Sequence, residues 1–143
     1  MYDCLKLENQ LCFPIYLCSK EIIRKYTPYL KELDLTYTQY IVMMYLWEYE
    51  ETKLSELENK LLLNSNTLTP LLKKLELKGY IIRKRSNKDE RNLIISLTKD
   101  GSKLKEKAVK IPKEMGKCIN LSEEDAITLY NLIYKVLDNI EKR

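Results

Sequence analysis

Four cysteines, Cys4, Cys12, Cys18 and Cys118, and a complete absence of histidine bound the chemistry open to this 143-residue chain. Without an imidazole there is no Ser-His-Asp or Cys-His catalysis, no H-E-x-x-H zinc site and no histidine pH switch. The cysteines show no C-x-x-C spacing, so no metal site is expected, and in a cytosolic chain the thiols should be reduced at rest. Among the chemistries left open is that of a single reactive thiol, which needs the thiolate form. Cys12 has the position for it. A proline costs ~3 kcal/mol inside a helix but is tolerated in the first turn, so Pro14 puts Cys12 at or just before a helix start. The positive end of a helix dipole favours a thiolate there. The competing reading makes Cys12 a small buried hydrophobe.

A second constellation is electrostatic. Between Lys73 and Arg91 stand eight basic residues (Lys73, Lys74, Lys78, Arg83, Lys84, Arg85, Lys88, Arg91) and three acidic ones (Glu76, Asp89, Glu90). That window carries +5 while the whole chain carries +4, so the positive field is local, as a phosphate-binding surface requires. The surrounding stretch, Asn64 to Leu97, opens with hydroxyl and amide residues and continues as an amphipathic run that Gly79 ends. It then alternates apolar and basic residues (YIIRKR), turns through SNKDER and returns as NLIISL. This order predicts a helix followed by a two-stranded hairpin, the wing of a winged helix-turn-helix. Ser65, Asn66, Thr67 and Thr69 would sit at the helix's N-terminal end, able to reach phosphates or base edges. Lys73 and Lys74 lie further along, and Arg83, Lys84 and Arg85 on the first wing strand. For any single lysine the plain alternative is a solvated face.

Other elements must position these two. Ile15, Cys18, Ile22 and Tyr26 recur at helical spacing from Cys12 to about Leu33, with Pro28 expected to break or kink the end. The reading places Cys18 in the core, because six helical residues, ~9 Å along the axis, separate it from Cys12, too far for a disulfide. Met1 to Leu11 reads as a polar, mobile lead-in. Thr36 and Gln39 fit a capping box, and the helix they start is apolar around most of its circumference, hence central. Leu54 to Leu61 is a short amphipathic helix. After a turn at Leu63 to Ser65, the next helix shows Leu68, Leu71, Leu72 and Leu75 on one face, with Pro70 in the first turn if Ser65 or Asn66 is the N-cap. Gly79 suits a left-handed cap. Thr98 caps a helix over KDGSKLKEKAVKI that Pro112 terminates or bends, and Ser122 caps a last helix carrying Ala126, Tyr130, Ile133, Leu137 and Ile140 in register.

The predicted class is mainly α with a minor β part. A single domain over 1–143 contains a winged helix-turn-helix lobe at about 36–100 and terminal helices at about 8–33 and 102–141. Terminal helices with apolar faces suit a two-fold dimer, which would set two reading helices about one DNA turn apart over a palindrome. Low glycine and proline content fits a mostly helical, ordered chain, without repeats or low-complexity segments. No signal peptide and no apolar run of ~20 residues is seen, so the expected location is the cytoplasm, with no membrane partner and no cofactor.

Beyond composition, the chain resembles the MarR family of dimeric bacterial transcription regulators, and within it the organic-hydroperoxide-resistance repressors (OhrR). The resemblance runs almost end to end, through LENQLCF (7–13), LTYTQYIVMMYLWE (35–48), NTLTPLLKKLE (66–76), RKRSNKDERN (83–92), ISLTKDG (95–101) and KEKAVKIP (105–112). Its specific signal is Q-L-C-F followed about two dozen residues later by T-Y-x-Q-Y. The resemblance implies that Cys12 is the peroxide sensor, held at the dimer interface by tyrosines of the other subunit, matching Tyr26, Tyr37 and more weakly Tyr16. Phenolic hydroxyls can donate to sulfur, which agrees with a thiolate. It further implies that Cys118 resolves the oxidised thiol across subunits in some members, with Cys4 or a small thiol as rivals. Arg91 resembles a wing-tip arginine that enters an A·T-rich minor groove, positioned by Asp89.

The function expected is thus a homodimeric regulator of double-stranded DNA, a repressor released from a palindromic, A·T-rich operator by organic hydroperoxide or a similar oxidant. Three rivals stand beside it: a regulator of the same type sensing a small aromatic ligand, with Cys12 structural; a thiol peroxidase; and a protein-binding adaptor. The peroxidase lacks an evident proton donor and leaves the basic window without a role.

Overall fold

The first helix, α1 (Cys12–Leu33), begins at Cys12 and carries Pro14 as its third residue, where a missing backbone N–H costs nothing. The computed structural model describes residues 2–85 and 93–141, which form two compact units, Met1–Lys110 and Ile111–Arg143. In the first unit the residues before α1 are more ordered than a polar lead-in suggests. Two 3₁₀ turns, Asp3–Leu5 and Leu7–Asn9, are closed by side chains: Asn9 donates to the Asp3 carbonyl (2.7 Å) and Gln10 to the carbonyls of Cys4 and Lys6 (both 2.8 Å).

Of the two outcomes expected at Pro28, a break or a kink, the break does not occur. The helix runs on to Leu33, because the proline removes only the N–H that would meet the Arg24 carbonyl, on an exposed face where water can serve. Asp34 ends it in the left-handed region (φ 54°), its N–H donating to the carbonyls of Leu30 and Lys31. Only Leu30 and Leu33 of α1 are buried. Cys18, expected in the core, is exposed together with Ile15: helical periodicity marks an apolar face but not what covers it.

The core of this unit gathers around α2 (Tyr37–Tyr49). The predicted capping box is present: the Thr36 hydroxyl accepts from the Gln39 N–H (3.2 Å) and the Gln39 side chain accepts from the Thr36 N–H (2.9 Å). Tyr40, Val42, Met43 and Leu46 are buried. Then follow α3 (Leu54–Leu61), a left-handed Leu62 (φ 53°) and α4 (Ser65–Leu77), the helix-turn-helix. The N-cap of α4 is Asn64, not Ser65 or Asn66; its side chain accepts from the Thr67 N–H at 3.0 Å. Pro70 therefore lies beyond the first turn, and the carbonyl it leaves unpaired belongs to the exposed Asn66. Leu68, Leu71, Leu72 and Leu75 are all buried, and Gly79 adopts φ +84° as the cap required.

The wing has one strand more than expected. Strand β1 (Glu51–Lys53) joins β2 (Ile81–Arg85) and β3 (Leu93–Leu97) in an antiparallel sheet of order β1-β3-β2, with Thr52 opposite Ile95 and Arg83 opposite Ile95 on the other side. Three residues are too few for an alternating pattern to stand out in a sequence. The expected tip residues Asp89 and Arg91, with Lys88, lie outside the described residues.

After β3, Thr98 caps α5 (Lys99–Lys103) by accepting from the Gly101 N–H (3.0 Å), and donates its hydroxyl proton to the Gly79 carbonyl (2.6 Å). The single helix expected here is divided into α5 and α6 (Lys105–Ala108). In the second unit Pro112 does not terminate a helix. It is the second residue of α7 (Ile111–Ile119), a first-turn position. Ser122 caps α8 (Glu123–Glu141) through the Asp125 N–H (3.1 Å), and no residue of α8 is buried. Among the described residues no helix is long and apolar enough to cross a membrane.

Gly101 is where the wing and the core meet. Its carbonyl accepts from the Trp47 indole N–H (2.8 Å), and a Cβ there would lie 2.2 Å from the Tyr80 carbonyl oxygen and 2.9 Å from a Leu97 methyl. Gly101→Ala should destabilise the fold by about 1–3 kcal/mol through forced backbone movement. Urea unfolding measures it, and an unchanged midpoint would contradict the close approach.

Candidate nucleic-acid interface and thiol site

Along α4 the predicted DNA-facing residues divide by environment. Ser65, Asn66 and Thr67 are exposed in the first turn and Thr69 is half-buried. Lys73 and Lys74 are exposed two turns on, opposite the buried leucine face. A face of this kind presents hydroxyls, amides and helix N–H groups at one end and ammonium groups at the other.

Strand β2 carries the next cations, Lys84 and Arg85, both exposed. Arg83 is different. Its guanidinium pairs with Glu76 of α4 (Nη2 to Oε1 3.1 Å, Nε to Oε1 3.3 Å), and its backbone N–H donates to the other carboxylate oxygen at 3.1 Å. Glu76 therefore clamps the wing strand to the reading helix. The Arg83 hydrogen bonds hold the Glu76 carboxyl below the usual carboxylate range, against a smaller opposing effect of desolvation. Sequence reasoning counted Glu76 only as an opposing charge, since seven residues and a turn separate it from Arg83.

The thiols are dispersed. Cys12, the first residue of α1, is exposed, as are Cys4 in the first 3₁₀ turn, Cys18, and Cys118 near the end of α7 in the second unit. Tyr16, four residues after Cys12, is exposed and has the Lys20 ammonium 5.5 Å from its ring centre. Tyr26 and Tyr37 do meet, ring centres 4.9 Å apart, and the phenol that joins them is Tyr40, 5.7 Å from Tyr26 and 6.3 Å from Tyr37. Tyr40 in turn meets the Trp47 ring edge-on at 6.3 Å. The missed member had a signal: Tyr40 follows Tyr37 by three residues, one helical turn on the same side.

Burial keeps these hydroxyls protonated. It pushes Tyr37 up from the ordinary value of 10.0, and pushes Tyr26 up with help from Tyr37. Tyr40 is pushed up to about 12, by burial first and then by Tyr26 and Tyr37. All three are thus hydroxyl donors throughout the neutral range. Beside them, a hollow of about 260 Å³ between α1 and the start of α2 is lined by Ile23, Thr27, Leu30, Leu35 and Tyr37.

The tyrosine cluster predicts an alkaline limit to stability. A phenol whose folded value is raised stabilises fully below pH 10.0 and loses that contribution as pH climbs towards about 12. Unfolding midpoints measured from pH 8 upward should fall in that window, and less steeply in Tyr40→Phe. An identical fall in the variant would remove Tyr40 as a cause.

Comparison with known proteins gives a consistent picture. Residues 24–108 match the family described as transcriptional regulator SarA/Rot. The chain is 44% identical over 142 residues to the organic hydroperoxide resistance transcriptional regulator of Bacillus subtilis (strain 168), spanning 99% of this chain and 97% of that one. It is 48% identical over 141 residues to the HTH-type transcriptional regulator SarZ of Staphylococcus aureus (strain MRSA252), spanning 96% and 95%. Among solved structures it is similar to reduced AbfR bound to DNA, with a TM-score of 0.79 and 35% identity over 94% of each chain. Against the disulfide-formed state of the same Staphylococcus epidermidis protein the TM-score is 0.65, at 34% identity over 96% of this chain and 93% of that one. With its helix-turn-helix, three-stranded wing and near end-to-end relatives, the chain belongs to the SarA/Rot family of transcriptional regulators, winged-helix proteins of the MarR type.

Proposed function

We propose that this regulator is a dimeric repressor that holds a palindromic, A·T-rich operator while Cys12 is reduced and releases it when organic hydroperoxide or a similar oxidant reaches that thiol. The observation that carries the reading is the exposed Cys12 thiol at the first residue of α1, on a helix whose side chains before Leu30 are not buried by their own chain. Cys12 and Tyr26 share that helix, fourteen residues or about 21 Å apart along the axis, so Tyr26 cannot reach the thiol of its own protomer. A second copy, placed antiparallel along α1, brings its phenols to the thiol. Ile15, Leu17 and Ile23 of α1 and Ile127, Leu132, Tyr134 and Ile140 of α8 are exposed and supply apolar surface for such an interface.

The chemistry is a two-electron transfer. The Cys12 sulfur attacks one peroxide oxygen, the O–O bond breaks, and the alkoxide leaves as an alcohol after taking a proton; the sulfur is left as sulfenic acid. A second thiol then displaces water to form a disulfide, for which Cys118 of the other subunit is the leading partner, with Cys4 or a small thiol as competitors. Either product changes the size and polarity of the group that faced the phenols, and a shift of α1 alters the spacing of the two α4 helices. On the output side, Ser65, Asn66, Thr67 and Thr69 approach bases and phosphates, Lys73, Lys74, Lys84 and Arg85 hold the backbone, and Arg91, set by Asp89, enters the minor groove. The names of the Bacillus relative and of the reduced, DNA-bound AbfR support this reading. A difference of about 3–5 kcal/mol in DNA affinity between the two states suffices to empty an operator.

Cys12→Ser is the decisive variant. It should bind operator DNA like the reduced protein and stay bound after hydroperoxide, while the wild type loses affinity by two orders of magnitude or more, roughly the lower end of that range. Release of the variant at the wild-type rate would sink the sensor role. Consumption of more than one peroxide per subunit with a thiol reductant would instead revive the peroxidase.

A further inference from the structure

Lys78 stands apart from the other lysines of the basic window. Lys73 and Lys74 are exposed, whereas the Lys78 side chain is only 27% exposed. Its ammonium donates to the backbone carbonyl of Asp34 and lies 3.5 Å from the Asp34 carboxylate. Asp34 is the left-handed residue that ends α1, and Lys78 is the C-cap of α4. The contact therefore ties the C-terminal end of the DNA-reading helix to the C-terminal end of the helix that starts with Cys12. An ammonium is well suited to the task, since the last carbonyls of a helix form its negative pole.

The packing of α1 gives that tie a mechanical meaning. Leu30 and Leu33 are its buried residues, and Glu32 adds an ion pair to Lys110 at 2.8 Å, so α1 is anchored at its end. From Leu30 back to Cys12 is eighteen residues, about 27 Å of helix. With Tyr26 also packed on Tyr37 and Tyr40, α1 is held over its C-terminal part with the thiol at the other end, and Lys78 attaches α4 to the held part. On the other side of α4, Glu76 binds Arg83 of the wing, so helix and wing follow together.

We propose that Lys78 is a positioning residue: it couples displacement of the Cys12 end of α1 to the orientation of α4, and it does not neutralise a DNA phosphate. The coupling rests on the sensor reading of Cys12 given above, and the test separates the two. The probe is a labelled palindromic duplex selected from a randomised pool with the reduced wild-type protein. Its affinity is measured across a salt series, before and after treatment with cumene hydroperoxide, for wild type, Lys78→Met, Lys78→Gln and Lys78→Arg. Two neutral variants guard against a folding failure in one.

In the reduced state the salt slope of Lys78→Met and Lys78→Gln should stay within about 0.3 of wild type, because no phosphate contact is lost. The oxidised-to-reduced Kd ratio should fall at least about fivefold in both neutral variants and return in Lys78→Arg. A slope shallower by about 0.9 would assign Lys78 to a phosphate and overturn the inference. So would an unchanged Kd ratio in the neutral variants when the wild type responds to oxidant. A wild type whose affinity is indifferent to oxidation refutes the sensor reading and the coupling together, and that result needs no variant to be seen.

Discussion

An α-helix rises about 1.5 Å per residue, and that spacing along α1 governs what this protein can do. It holds Cys12 about 21 Å from Tyr26 and about 27 Å from the first buried leucine, Leu30, so the thiol end of the helix cannot pack on its own chain's core. The helix leaves Ile15, Leu17 and Ile23 exposed ahead of Leu30. In the proposed function a second copy running the other way completes its packing. Burial raises the three phenols of Tyr26, Tyr37 and Tyr40 above their ordinary range.

The DNA-reading lobe is rigid for separate reasons. A reciprocal cap starts α2, and Asn64 caps α4. Gly101 lets Trp47 close onto the wing, where any side chain would strike the Tyr80 carbonyl. Glu76 fixes β2 to α4, which removes Arg83 from the pool of freely available cations and gives it a structural role.

Charge is distributed to match. Among the described residues of the basic window, Lys73, Lys74, Lys84 and Arg85 are exposed on α4 and β2, while Lys78 turns inward to cap α1. Identical side chains a few residues apart thus sit in two environments, open to solvent or fastening one helix to another. Burial and partner decide which, and neither is visible in a count of lysines.

By itself the sequence determined the local elements, because their causes are local. Pro14 placed the start of α1 at Cys12, Thr36 and Gln39 the start of α2, Ser122 the start of α8, and the leucine spacing of α4 its buried face. Family motifs singled out Cys12, Tyr26 and Tyr37. Local reasoning misplaced features whose outcome depends on distant partners or on solvent. Pro28 and Pro70 were tolerated within helices because exposed backbone could turn to water, and Cys18 proved exposed although helical spacing put it on an apolar face. Strand β1 was too short to leave a pattern and exists because β3 offers it a ladder. The third phenol, Tyr40, the Glu76–Arg83 clamp and the Lys78–Asp34 tie were decided only by the tertiary structure. Each joins residues from different elements, and only the packed chain brings such elements within hydrogen-bonding or van der Waals reach.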